Sequence, residues 1–156
     1  MRNYAIPDHG ACPDDRDIGA LVRYFRRHQR IPRLEYVEDS SPRTWPALAR
    51  AGFTLEQRTP VMIATPDTRL TPRPTAGTGL VEVPGDRPAV GELAAVGVLP
   101  AFRRRGIASA ISAYLARTAH AQGIGLVFLE AEPDGEQIYR RCGFIDATTK
   151  IWVSLR

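Results

Sequence analysis

Lysine is almost missing from this chain of 156 residues, since Lys150 is the only one among 21 basic residues. Together with the many alanines, prolines and glycines, that bias reads as genomic base composition rather than as a functional signature. Cysteine is scarce as well. Cys12 and Cys142 stand far apart, with no histidine or further cysteine at metal-ligand spacing, which excludes a disulfide framework and a zinc site, so no metal is expected. Long apolar runs are lacking too. Met1 to Asp17 carries prolines and acids, so neither a secretory signal nor a membrane span is expected, and a cytoplasmic location follows by default.

What is present is the balance of a soluble globular protein, with 44% hydrophobic and 24% charged residues and length enough for one domain with a full core. The net charge of +4 invites nucleic acid as a partner. The basic residues are spread along the chain beside 17 acidic ones, however, and a polyanionic cofactor suffices to explain them; nucleic acid is not expected.

Periodicity predicts a helix over Asp17 to Arg30, with Ile18, Leu21, Val22 and Phe25 on one face, then a strand at Arg33 to Val37. A helix at Pro42 to Ala51 closed by Gly52 and a strand at Phe53 to Ala64 follow. Thr65 to Gly79 is too rich in Pro, Thr and Gly to pack and reads as a loop or linker. Leu80 to Val83 and Ala89 to Val98 read as strands joined by a proline-rich turn. A long helix from Arg103 to about Gln122, a buried strand at Ile124 to Glu130, a short helix at Asp134 to Cys142 and a closing strand at Lys150 to Leu155 complete the series. The stretch ending at Phe53 echoes the one ending at Phe144, each showing helix, strand, helix, Gly-Phe and strand, with the Gly-Phe pairs 91 residues apart.

The most informative segment is Val96 to Ser109. It reads as a strand end, a glycine-bearing loop and a helix start. The first N–H groups of a helix lack intrahelical partners, and the peptide dipoles leave partial positive charge there, which suits a pyrophosphate. Gly106 and Ala108 let an anion approach the backbone, and Arg103, Arg104 and Arg105 add charge.

Arg103, Gly106 and Ala108 match the Gln/Arg-x-x-Gly-x-Gly/Ala loop of the GCN5-related N-acetyltransferase superfamily. Ile138, Tyr139, Gly143 and Phe144 match its Leu-Tyr-x-x-x-Gly-Phe helix end, so residues 88 to 155 resemble that superfamily. The resemblance implies a mixed α/β fold whose central mixed sheet, flanked by helices, has a splayed cofactor strand. It implies acetyl-CoA as cosubstrate, its pyrophosphate on the backbone of Arg104, Arg105, Gly106, Ile107, Ala108 and Ser109, and its pantetheine arm along Val96, Gly97 and Val98. An N–H near Val98 then faces the developing oxyanion. Glu92 is the candidate base and Tyr139 the candidate acid for the departing thiolate. The alternatives are a solvated or salt-bridged Glu92 and a Tyr139 that only packs beside the cofactor. Glu132 and Gly135 depart from the asparagine and alanine usual in the family.

The implied reaction is direct acetyl transfer, in a ternary complex, to the primary amine of a small molecule or peptide. The alternatives are a non-catalytic acyl-CoA-binding or interaction module and, on charge alone, an enzyme acting on nucleic-acid-linked amines. Residues 1–156 are read as one domain, with an atypical part at 1–66, a loop at 67–79 and the acetyl-CoA-binding part at 80–156. Glu35, Glu38 and Asp39 read as a solvated acidic turn or, less simply, as a subsite for a cationic amine. The apolar row Ile151, Trp152, Val153 offers a homodimer contact.

Overall fold

The computed structural model describes residues 4–71 and 90–156. The strand expected at Leu80 to Val83, the turn after it, and most of the segment to Gly79 lie outside these residues. Among the described residues four helices and five strands divide into two compact units, Met1–Thr59 with Thr148–Arg156, and Pro60–Ala147. The divisions fall inside two strands.

The first unit opens with α1, Asp15–Arg27, which starts two residues earlier than its periodicity suggested. Asp14 rather than Asp17 is the cap. Its carboxylate accepts the Asp17 N–H at 2.8 Å while the Asp17 carboxylate accepts the Asp14 N–H at 3.2 Å, a reciprocal box that satisfies two donors at the helix start. The helix ends at Arg27 because Gln29 takes φ +53°, and the Arg30 N–H returns to the Phe25 carbonyl at 2.9 Å.

Strand β1, Arg33–Val37, falls where expected, followed by a 3-10 turn at Glu38–Ser40 and α2, Thr44–Arg50. The early residues of β2, Thr54–Ala64, and the later residues of β5, Ile145–Ser154, belong to this unit. β1 pairs antiparallel with β5 from Arg33 opposite Ser154 to Val37 opposite Lys150. Alternation sends Leu34, Tyr36, Ile151 and Val153 into a core with Ile18, Leu48 and Phe53. The row expected to offer a dimer contact is therefore internal: Ile151 and Val153 are fully buried and Trp152 is half-buried.

On the other face of this ladder Glu35 forms an ion pair with Lys150, whose ammonium also lies 5.1 Å from the Trp152 ring centroid. Glu38 is held by the Arg58 guanidinium, and Asp39 accepts the Thr148 hydroxyl at 2.5 Å. The acidic residues read as a solvated turn or an amine subsite are thus each committed to a partner within the unit.

Tyr36 shows a cost of this packing. Its hydroxyl is buried without a hydrogen-bond partner among the described residues. Burial, then the charge of Glu38, pushes its pKa upward, and Arg58 opposes them. A pKa raised in the folded state gives stability that is complete below the ordinary value of about 10 and is lost as pH climbs through it. Tyr36→Phe is expected to raise stability by about 1 kcal/mol at neutral pH by removing the orphaned hydroxyl, and by more above pH 10. Urea unfolding of both proteins at the two pH values measures this.

The second unit holds the rest of β2, β3 (Val90–Glu92), α3 (Ile107–Ala121), β4 (Leu126–Glu130) and α4 (Glu136–Cys142). β2 pairs antiparallel with β4, from Val61 opposite Glu130 to Ala64 opposite Val127, and β3 pairs parallel with β4. Met62, Val127, Leu129, Ala113, Ala116 and Phe144 form its core. The small residues Ala113 and Ala116, both fully buried, let α3 lie close on the sheet.

The sequence echo is real in three dimensions. α2 and α4 are both seven residues long and a left-handed glycine follows each, Gly143 at φ +108° as the cap of α4 and Gly52 at φ +88° one residue past the Ala51 cap of α2. The Phe53 N–H reaches the Leu48 carbonyl at 3.0 Å as the Phe144 N–H reaches that of Tyr139 at 3.1 Å. Ala5 extends the match, since it bridges in parallel to Leu34 of β1, with its N–H on the Arg33 carbonyl at 2.8 Å. In the second unit the Leu93 N–H makes a comparable parallel-strand bond, also 2.8 Å, to the Phe128 carbonyl of β4, two positions further along that strand.

Candidate functional site

All the residues singled out for cofactor binding and catalysis lie in the second unit. The chain around them departs from expectation in two ways. The cofactor strand, read as Ala89 to Val98, ends at Glu92. After the Leu93 bond to Phe128, Ala94 to Val98 have no backbone N–H partner among the described residues, and Ala95 turns the chain at φ +56°. The β-branched residues Val96 and Val98 suit a strand by themselves, but a strand needs a neighbour and here the chain has left β4. The parting is the splay that the resemblance implied, beginning several residues earlier. It leaves the Val96, Gly97 and Val98 N–H groups unspent.

The second departure concerns the helix. α3 begins at Ile107, not at Arg103. Pro100–Phe102 form a 3-10 turn, Arg103 is extended, Arg104 takes φ +63° and Gly106 takes φ +76° as the N-cap. The three arginines therefore line a loop before the helix. Alternating backbone handedness in such a loop turns N–H groups toward one concavity, and no side chain among the described residues caps the helix. The first bond into the helix is Ala110 N–H to the Gly106 carbonyl at 2.9 Å, so among the described residues the N–H groups of Gly106, Ile107, Ala108 and Ser109 have no partner.

A Cβ on Gly106 would meet no atom within 4 Å. The glycine is needed for its φ, and the space before the helix is open. A pyrophosphate fits this cradle: there are four free donors, the positive end of a helix of 15 residues, and no carboxylate in its first turn.

The arginines divide their work. Arg103 Nε donates to the Val98 carbonyl at 3.1 Å and ties the loop to the departed strand. Arg105 stacks over the Phe102 ring at 5.7 Å. Neither contact was visible from residue spacing. Arg104 is exposed and has no ion pair among the described residues. Leu99 and Phe102 stay exposed beside the loop.

Glu92 is the last residue of β3, opposite Phe128 on β4, with an exposed side chain. Tyr139 lies in α4, half-buried against the core, its ring edge-on to Phe144 at 6.2 Å. Burial, and secondarily Cys142, push its pKa up. Gly135 explains one departure from the family pattern: a Cβ there would stand 3.3 Å from the Tyr139 ring. Cys142 is fully buried, with its thiol on the Ser109 carbonyl at 3.4 Å, which joins α4 to the first turn of α3. Burial raises its pKa, consistent with a packing role.

A strap that no sequence signal marked holds the end of α4. The Thr71 N–H and hydroxyl take the Cys142 and Arg141 carbonyls at 2.8 and 2.9 Å, and Arg117 donates to the Leu70 carbonyl at 2.8 Å. Among the described residues no group of acids, histidines or cysteines is arranged to hold a metal, and no helix is long and apolar enough to cross a membrane.

The site is thus a parallel β3–β4 pair that parts ahead of a helix without a side-chain cap. Residues 31–144 match the family model described as Acetyltransferase (GNAT) family. The chain belongs to the GNAT acetyltransferase family. Two solved structures share its fold. A GCN5-related N-acetyltransferase from Kribbella flavida superposes with a TM-score of 0.73 at 21% identity, over 94% of this chain and 78% of that one. Another, from Sphaerobacter thermophilus, gives 0.65 at 16% identity, over 90% and 68%. No curated protein sequence matches this chain.

Proposed function

We propose that this protein is an N-acetyltransferase that moves the acetyl group of acetyl-CoA directly to a primary amine in a ternary complex. The observation that carries the reading is the orphaned N–H series Gly106 to Ser109, opened by a left-handed glycine beside the parted strand. That cradle would hold the pyrophosphate, with Arg104 as the nearest uncommitted charge. The N–H groups of Val96 to Val98 would pair with the pantetheine amides. Bound there, acetyl-CoA supplies an activated thioester.

The chain's own residues supply the rest. A primary amine with a pKa near 10.4 is mostly ammonium at neutral pH, so Glu92 takes its proton, directly or through water. The N–H at Val98 faces the charge growing on the carbonyl oxygen as the C–N bond forms. Tyr139 delivers its phenolic proton to sulfur as the C–S bond breaks, and solvent restores it. The exposed setting of Glu92 suits contact with an acceptor arriving from solution.

The test is release of CoA thiol from acetyl-CoA with a panel of primary amines, wild type against Glu92→Gln. The variant is expected to need a higher pH for the same rate, because only the free amine then reacts. An unaltered pH profile removes Glu92 from the mechanism, and binding without turnover on any amine leaves an acyl-CoA-binding module.

A further inference from the structure

The first unit repeats the element order of the second and the hydrogen bond at its Gly-Phe corner, so it contains a counterpart of the candidate cofactor site. The segment at Ala5 stands for β3, α1 for α3, β1 for β4 and α2 for α4. Two changes reverse the chemistry of that place. The N-terminus of α1 is closed by the Asp14–Asp17 box, and Asp15 adds further negative charge in the same turn. The Asp17 N–H is used by the box, and the acidic side chains repel a phosphate. Leu48 occupies the position of Tyr139, which removes the hydroxyl.

What remains is a groove of about 370 Å³, inside the size range of small-molecule sites. Its floor is apolar, made by Ile18, Leu34 and Leu48, all buried. Ile6 stands at its wall with 69% of its surface exposed, an unusual state for isoleucine. Asp8 and Asp17 are exposed at its lining, and among the described residues no basic one lines it. An apolar slot with carboxylates at the opening attracts a cation that carries an apolar body and rejects anions of the same shape.

We propose that this groove is a second ligand site, built on the same frame as the acyl-CoA site but selective for an amine with an apolar body. It is independent of turnover in the second unit.

Cys12 supplies the readout. It lines the groove and is exposed, whereas Cys142 is buried, so a disulfide reagent that spares amines, such as dithiodipyridine, reports on Cys12 first. Phenethylamine is expected to slow that reaction about tenfold once it stands roughly ten times above its dissociation constant, by mass action. Its neutral N-acetyl derivative, phenylpropionate and CoA are expected to leave the rate unchanged. Asp8→Asn and Ile6→Ser change exposed side chains, and each is expected to raise the amine concentration needed for protection. Absence of protection by the amine overturns the proposal, as does equal protection by the neutral amide. Protection by CoA overturns it too, since it would mean that the first unit still accepts phosphate.

Discussion

Replacing Gly143 with alanine is expected to destabilise the protein by about 3 kcal/mol and to lower its melting temperature by roughly 10 °C. Two costs add at this residue. Its φ of +108° is one that a side chain rarely adopts, and the new Cβ would stand 2.5 Å from the Arg69 carbonyl oxygen, which is backbone and cannot swing aside. Relief would require the strap at Leu70 and Thr71 to lift, losing the Thr71 bonds to the end of α4. Gly52 has the same handedness in the first unit, but its nearest neighbour is a flexible Leu155 methyl at 3.6 Å, so Gly52→Ala should cost only the backbone term. Thermal unfolding of the two variants side by side separates them; equal losses would mean that the strap does not press on Gly143.

The second large effect belongs to Tyr139. Tyr139→Phe is expected to lower turnover by about 10²-fold or more while leaving acetyl-CoA affinity near its wild-type value, the signature of a lost general acid. Burial, aided by Cys142, raises the phenol's pKa, so its proton is present throughout neutral pH and is lost only above the ordinary value of about 10. Deprotonation of Tyr139 should accordingly cause no fall in wild-type turnover below that pH. Turnover unchanged in the variant would leave Tyr139 as a packing residue against Phe144. A matching loss of affinity would place its role in binding.

Much of the frame was legible because its signals are local. β1 was found to the residue from a short β-branched and aromatic run, and the left-handed glycines at the ends of α2 and α4 mark themselves in sequence. β5 begins at Ile145, five residues before its expected start, because its first half is solvent-facing and carries no apolar alternation. α1 was shifted because Asp14 and Asp17 are both good caps and only the reciprocal pair decides between them.

At the site, residue types pointed to the cradle but not to its conformation. Three consecutive arginines suit a helix, and nothing local announces φ +63° at Arg104. The extent of β3 was equally hidden, since pairing is a property of two strands and Val96 and Val98 are strand-formers without a partner. The strap at Thr71 and the tie from Arg103 to Val98 are contacts between segments whose sequences do not advertise them.

The account rests on the open N-terminus of α3 as an acyl-CoA cradle, and calorimetric titration with acetyl-CoA tests it most directly, wild type against Gly106→Glu. The glutamate would have to adopt a left-handed conformation and would place a carboxylate where the pyrophosphate belongs. Micromolar binding at one equivalent per chain, lost in the variant while its melting curve stays cooperative, is the predicted result. Wild-type protein that binds neither acetyl-CoA nor CoA, or a variant that binds as well as the wild type, would contradict it.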